Sequence, residues 1–299
     1  MAFVMRPLTT EAALADGIAP SLTSRGEPFV QLYQRLGPLG EYLYFPFEKA
    51  YDTAPGTEFT RNNAWLPVAL VAFYVAAIVL GKHYMATRER MDLRYKLAAW
   101  NGLLCAFSFA GALRTVPDVL WRLGSESLEA TLCTDPSASW GVGATGLWVQ
   151  LFIFSKIPEL VDTYFIVARK RSLIFLHPYH HVTVLLYCWH SYATEASQAL
   201  YFVAMNYSVH AIMYGYYCLM ALKIPSGVPP VLITAAQLSQ MVVGVAVQGF
   251  ASYSYLTAPE TCHINGANIF WGGLMYASYF GLFTKFALER YLKKPEKVA

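Results

Sequence analysis

Long apolar stretches, each near the length of a bilayer-crossing helix, recur along the chain at 65–81, 97–116, 140–165, 173–192, 199–222, 231–250 and 269–291. A helix rising 1.5 Å per residue needs about twenty apolar residues to cross the hydrocarbon layer. The pattern therefore predicts an all-α integral membrane protein with seven transmembrane helices. Residues 64–292 carry these spans, 1–63 are mixed and proline-containing, and 293–299 form a basic tail. No tandem repeat, low-complexity tract or second domain interrupts this plan. Residues 1–20 are broken by Arg6, Pro7, Glu11 and Asp16, which argues against a cleaved signal peptide.

Composition agrees with the pattern. Hydrophobic residues make up 56% of the 299 and charged residues only 14%, against about 25% charged in soluble domains. The net charge of +3 is small and dispersed, so there is no nucleic-acid footprint. Its placement is informative. Lys82, Arg88, Arg90, Arg94 and Lys96 follow the first stretch, Arg169, Lys170 and Arg171 the third, and Lys223 the fifth, while Lys293, Lys294 and Lys297 lie in the tail. By the positive-inside rule these ends are cytosolic. The loops read at 117–139, 193–198 and 251–268 carry Asp118, Glu126, Glu129, Asp135, Glu195 and Glu260 against Arg122, and are expected to be luminal. An odd span count then puts the N-terminus in the lumen, as a short arm with an interfacial segment at Tyr42, Tyr44, Phe45 and Phe47, and the C-terminus in the cytosol. Cys133 and Cys262 fall in two of these luminal loops and are disulfide candidates. The alternative is a pair of free loop thiols.

The polar residues inside the spans carry the candidate chemistry. KIPELVDTYF puts Lys156, Glu159 and Thr163 at i, i+3 and i+7, one side of a helix, with Asp162 beside them. Each buried charge costs about 2.5 to 3.5 kcal/mol at mid-bilayer, so these groups must be paired or wet. Pro158 cannot donate to the Phe154 carbonyl, which predicts a kink. A purely structural ion pair is the competing reading. In FLHPYHHVTVLLYCWHSY, His177, His180 and His181 project over about one helical turn, in the half of the span that starts from the Arg169 to Arg171 loop. Pro178 inside this helix would free the Ile174 carbonyl. MNYSVHAIMYGYY sets Asn206, His210, Met213 and Tyr217 at helical spacing, with Tyr214 among them. Thr234, Gln237 and Gln240 in the sixth stretch and Tyr276 and Tyr279 in the seventh reach similar depth, though such groups commonly serve as interhelical glue. His83, His190 and His263 read as peripheral, and the Asn206-Tyr207-Ser208 sequon is discounted because it lies within a span.

Two chemistries fit the histidines. An HxxHH box also occurs in membrane di-iron desaturases and hydroxylases, but one box and four histidines at the right depth would leave two irons under-ligated. A single zinc stays open. Without a metal, neutral imidazole can act as base and as nucleophile toward a thioester, splitting an acyl transfer into two steps. A seven-helix receptor or proton-coupled transporter is the reading from a different class.

In order along the chain, GALRT at 111–115, KIPELVDT, FLHPYHH, MNYSVHAIMYGYY, TAAQLSQM and NIFWGGLMYASYFGLF resemble the signature motifs of the ELO family of very-long-chain fatty acid elongases, over about 65–292. The resemblance implies helices two to seven enclosing a substrate tunnel, with the first helix outside, in the endoplasmic reticulum membrane. It implies the condensation of long-chain acyl-CoA with malonyl-CoA to 3-oxoacyl-CoA, CO2 and CoA, with no metal or other cofactor. By the same resemblance His180 is the acyl-accepting nucleophile and His210 its proton-handling partner, while His177 and His181 shape the site. Asn206 and Asp162 would orient imidazoles, and Lys156, Arg169, Lys170 and Arg171 would meet CoA. Glu159, Thr163, Tyr214, Tyr217, Thr234, Gln237, Tyr276 and Tyr279 complete the candidate substrate-binding set. Partners implied are the reductase and dehydratase of the elongation cycle, and a homodimer is left open. The motif surroundings, with Ser172 where polyunsaturated-specific members often carry Gln, resemble the branch acting on saturated and monounsaturated chains of about sixteen carbons.

Overall fold

A computed structural model describes residues 5–23, 26–258, 260 and 262–292. The Lys293, Lys294 and Lys297 tail lies outside the described residues. The N-terminal part is a string of short elements: α1 (Thr10–Ala15), an antiparallel pair β1 (Ser21–Leu22) and β2 (Pro28–Phe29), α2 (Leu32–Arg35), α3 (Pro38–Leu43), α4 (Pro46–Lys49) and α5 (Ala54–Asn62). The helical body follows: α6 (Trp65–Ala86), α7 (Arg94–Ser125), the short α8 (Leu128–Cys133), α9 (Gly143–Ser155), α10 (Val161–Ala168), α11 (Leu176–Ala193), α12 (Ala199–Leu222), α13 (Pro230–Thr257) and α14 (Gly266–Tyr291). Among the described residues, α6, α7 and α13 are long and apolar enough to cross a membrane. The molecule is thus an all-α membrane protein, its only sheet being the two-residue pair β1 and β2 among the described residues.

Close backbone approach organises the body. Helices α7 and α12 form its most extensive helix pair, and Gly111 permits it: a Cβ there would stand 2.4 Å from the Tyr207 ring. A second pair, α13 and α14, seats Tyr276 against Gly244, where a Cβ would lie 2.2 Å from the ring. Small residues at such crossings let helices gain dispersion contacts that lipid cannot better. The central core gathers Phe152, Val184, Cys188, Tyr207, Met241 and Tyr276 from different helices.

Several expected boundaries are corrected. The 117–139 loop does not begin at Pro117, because α7 continues to Ser125 with Pro117 inside it. Asp118 and Arg122 are consequently buried in a helix, bonded to each other at 2.7 Å, with Thr145 donating to Asp118 at 3.1 Å. Pairing at i, i+4 neutralises the two charges that made this segment look like a loop. Helix α13 likewise runs on to Thr257, past the expected end at 250. The third apolar stretch is two helices: α9 stops at Ser155, a 3-10 turn covers Pro158–Leu160 and α10 begins at Val161. The expected break at Pro158 is present, but the Phe154 carbonyl is not orphaned; the Ile157 amide donates to it at 3.1 Å.

Residues 5–23 and 26–63 fold against one end of the body. Residues 51–53 meet 141–143 through Gly143 N donating to Tyr51 O at 2.7 Å and Thr53 N to Gly141 O at 3.1 Å. Trp189 Nε1 donates to Thr60 O and Trp140 Nε1 to Ala196 O, both at 2.9 Å. The anchor is Glu48, 2% exposed: Arg114 reaches it at 3.0 and 3.1 Å, Trp148 Nε1 at 2.8 Å and the Phe45 amide at 3.0 Å. Of the expected interfacial aromatics, Tyr42, Phe45 and Phe47 are exposed, whereas Tyr44 is buried beneath the Arg114 guanidinium, 4.8 Å from its ring centre. At the same end of the body, Cys133 and Cys262 form the expected disulfide, with Cα atoms 4.3 Å apart.

Burial raises the Glu48 carboxyl, but the hydrogen bonds from Arg114, Trp148 and the Phe45 amide, with the Arg114 charge, outweigh it and hold the group below its usual range. A lowered folded pKa adds stability above the unfolded value of about 4.3 that is lost as pH falls through that range. Glu48→Gln should therefore lower the melting temperature of purified protein at neutral pH and flatten its decline on acidification; an unchanged acid limb would refute this role. Replacing Cys133 and Cys262 together by Ser should cost about 2 to 4 kcal/mol, measured as a lower melting temperature that reductant no longer changes.

Candidate active site

One cavity of about 550 Å³ is lined by residues from α7, the Pro158 turn, α10, α11, α12, α13 and α14, and by none from α6. His177, His180 and His181 enter it from α11, and His210, Asn206, Met213, Tyr214 and Tyr217 from α12. Gln237, Gln240 and Met241 come from α13 and Phe283 and Phe286 from α14, while Arg169 and Arg171 lie after the end of α10. Cationic, imidazole and apolar surfaces thus share one chamber.

The start of α11 explains the presentation of the histidines. The helix begins at Leu176, so Pro178 falls in its first turn, where a missing N–H forfeits no intrahelical bond. The Ile174 carbonyl is therefore not freed: the His177 amide donates to it at 3.1 Å. This replaces the expected mid-helix disruption. Packing within the cluster is close, with ring centres 4.5 Å apart for His177 and His181 and 5.4 Å for His180 and His181. His181 Nδ1 is buried with no hydrogen-bond partner among the described residues. Tyr279 on α14 donates to the His180 carbonyl at 3.1 Å and shares a 2.6 Å bond with Thr183, and its ring centre is 5.3 Å from that of His180. On α12, the His210 ring lies edge-on to Tyr214 at 5.2 Å.

The Lys156 to Thr163 segment acts through neighbours. Lys156, 1% exposed, lies off the cavity and donates to Glu159 at 2.8 and 3.1 Å and to Asn206 Oδ1 at 3.3 Å. Ser155 also donates to Glu159, at 2.9 Å. Asp162 accepts from Trp100 Nε1 at 2.6 Å and from Tyr214 at 2.8 Å. Thr163 shares bonds with His177 Nε2 at 2.9 Å and with Tyr74 at 2.7 Å. The bonds of Asn206 and Asp162 thus run to Lys156, Trp100 and Tyr214.

Lys170 takes the left-handed conformation that closes α10: its amide donates to Val167 O at 3.0 Å and that of Arg171 to Ile166 O at 2.9 Å. This turn sets Arg169, Lys170 and Arg171 together with Glu89 and Arg90 around a second, open pocket. Gln237 donates to Met213 Sδ at 3.2 Å; Thr234 pairs with Tyr291 at 3.1 Å, away from the cavity. Tyr276 is also off the cavity, stacked on Phe202 at 4.7 Å. Sequence reasoning missed Tyr74, Trp100, Asn101 and Met241. A tyrosine or tryptophan inside an apolar stretch looks lipid-facing until a neighbouring helix supplies its partner.

The family model described as ELO, GNS1/SUR4 family, matches residues 59–299. The very long chain fatty acid elongase 6 of Drosophila melanogaster is 44% identical over 254 residues, covering 84% of this chain and 80% of that protein. The human very long chain fatty acid elongase 6 is 38% identical over 254 residues, covering 85% and 94%. The putative fatty acid elongase 3 of Caenorhabditis elegans is 39% identical over 256 residues, covering 84% and 78%.

Removing one member of the buried Lys156–Glu159 pair strands the other charge, at a cost of about 3 to 5 kcal/mol. Lys156→Met should therefore destabilise the protein strongly, and adding Glu159→Gln should restore part of the loss. Melting temperatures of the two single variants and the double variant measure this coupling; additive losses would rule it out.

Proposed function

The chain belongs to the ELO family, GNS1/SUR4, and from that premise we propose that it is the condensing enzyme of fatty acid elongation, joining a long-chain acyl-CoA to malonyl-CoA. The products are 3-oxoacyl-CoA, CO2 and free CoA. The observation that carries this reading is the joint presence of His180 and His210, from two helices, in one cavity with guanidinium groups and apolar walls. Di-iron oxidation and seven-helix transport or reception are not favoured, because the relatives are named as elongases.

The proposed route has two halves. A ring nitrogen of His180 attacks the acyl thioester carbonyl, the C–S bond breaks, and CoA leaves as a thiolate that takes up a proton. The resulting acyl-imidazole holds the chain while CoA exchanges for malonyl-CoA. Loss of CO2 from malonyl-CoA leaves its electron pair on the methylene carbon as an enolate. That carbon attacks the acyl carbonyl, the C–N bond breaks with the pair returning to His180, and one proton taken up from water restores the neutral ring. His210 handles the proton released in the first half. Arg169 and Arg171 suit the CoA phosphates, as planar guanidinium groups bind such oxygens in pairs, and Phe283, Phe286 and Leu97 offer apolar surface to the acyl chain.

The same reading makes the seven apolar stretches seven spans in the endoplasmic reticulum membrane, N-terminus luminal and C-terminus cytosolic, with the basic Arg169 to Arg171 turn on the cytosolic side where CoA esters are found. It takes saturated and monounsaturated chains of about sixteen carbons as substrates, requires no metal or other cofactor, and passes the product to a reductase and then a dehydratase.

Mass spectrometry of purified protein with palmitoyl-CoA alone should reveal an acyl adduct on His180 that disappears on adding malonyl-CoA as 3-oxoacyl-CoA appears; His180→Ala should lack both. Product without any adduct would overturn the covalent route and leave a ternary complex. Neither adduct nor product from folded protein, across a series of acyl chain lengths, would sink the assignment.

A further inference from the structure

Helix α6 turns most of its side chains outward: Phe73 is 73% exposed and Val68, Val79 and Leu80 are similarly open. Its buried residues are Pro67, Tyr74 and Met85. Of these, Tyr74 has a hydroxyl, and that hydroxyl meets Thr163 Oγ1 at 2.7 Å. Thr163 in turn meets Nε2 of His177 at 2.9 Å. The Tyr74 ring also lies 6.2 Å from that of His181. A helix that contributes nothing to the cavity lining is thereby connected to two of its histidines.

The protons in this chain run in one direction. A tyrosine hydroxyl has one hydrogen, and Thr163 is the hydrogen-bond partner of Tyr74 among the described residues. If His177 donated from Nε2, Thr163 would either hand its own proton to Tyr74, stranding the tyrosine hydrogen, or accept from both neighbours, stranding its own. An unpaired buried donor costs its full desolvation penalty. If Tyr74 donates to Thr163 and Thr163 donates to Nε2, both hydroxyl hydrogens are used, and the hydrogen left on the ring belongs to a histidine that lines the cavity. His177 is then neutral, with its proton on Nδ1.

We propose that Tyr74 is a positioning residue, acting through Thr163 to fix the tautomer and ring orientation of His177 so that it offers an Nδ1–H donor at the reacting centre. This rests on the reading of the histidine cavity as the acyl-transfer site. One helical turn from His180, a donor held before reaction begins is what the oxyanion of thioester attack requires. It also gives α6 a part in the chemistry while most of its surface faces away. The relay depends on the break at Pro158, because α10 starts anew beyond it and turns Thr163 between α6 and α11.

The experiment combines tautomer and rate. Nitrogen-15 spectra of histidine-labelled protein distinguish Nδ1–H from Nε2–H rings. Wild type should have His177 as Nδ1–H, assigned by its loss in His177→Gln. Tyr74→Phe, which keeps the ring, should move His177 toward Nε2–H, as should Thr163→Val, while Thr163→Ser should retain most of the wild-type signal. Condensation by Tyr74→Phe should fall about tenfold or more in kcat, the lower end of the loss seen when the partner that sets a metal-bound histidine's tautomer is removed, with KM for both CoA esters within about twofold. An unchanged His177 tautomer in Tyr74→Phe would overturn the relay, whatever happens to the rate. A changed tautomer with unchanged kcat would overturn its role in the reaction. Wild-type protein without condensing activity would count against the functional reading instead, and the spectra would still decide the relay.

Discussion

The ion pair between Lys156 and Glu159 sits at the break in the third apolar stretch, and the arrangement of the site depends on that break. Both side chains are nearly inaccessible, and Ser155 and Asn206 supply further polar partners at 2.9 and 3.3 Å. Charges so placed are tolerated only when geometry and hydrogen bonding are nearly complete. Pro158 interrupts the helix ladder and the 3-10 turn over Pro158–Leu160 carries the chain into α10. Beyond it, Asp162 faces Trp100 and Tyr214, and Thr163 faces Tyr74 and His177. One pair of charges and one proline thus distribute partners to four helices.

A second polar cluster does comparable work at the opposite end. Glu48 ties the short N-terminal elements to α7 through Arg114 and to α9 through Trp148. The disulfide joins α8 to the segment after α13 at that end. Short helices of four to nine residues have little stability of their own; here their order comes from docking on a finished helical wall. The chamber end instead carries an open basic pocket beside the turn after α10, where Lys170 takes the left-handed conformation.

The charge pattern misled the reading of α7 for a definite reason. Asp118 and Arg122 look like loop residues when counted singly, but at i, i+4 on a helix they cancel, and Thr145 completes the shell. Pro178 misled in the opposite sense: its effect depends on its distance from the helix start, and α11 begins two residues before it. Tyr74 carried no signal at all, since a single tyrosine in a run such as LVAFYVAAIVL is ordinary. The histidine box, the charged KIPELVDT segment and the pair Cys133 and Cys262 were legible because such residues are costly or purposeful in apolar surroundings.

By itself the sequence determined the helical class, the apolar stretches, the break at Pro158 and the set of side chains able to do chemistry. Periodicity and the cost of burying polar groups act locally, so a linear pattern records them. Only the tertiary structure decided which of those side chains meet. It brought Lys156 to Asn206, Asp162 to Trp100, Tyr74 to Thr163 and His177, and Glu48 to Arg114. Each meeting needs the approach and rotation of separate helices, set by packing at residues such as Gly111 and Gly244, and spacing within a single helix contains no record of it.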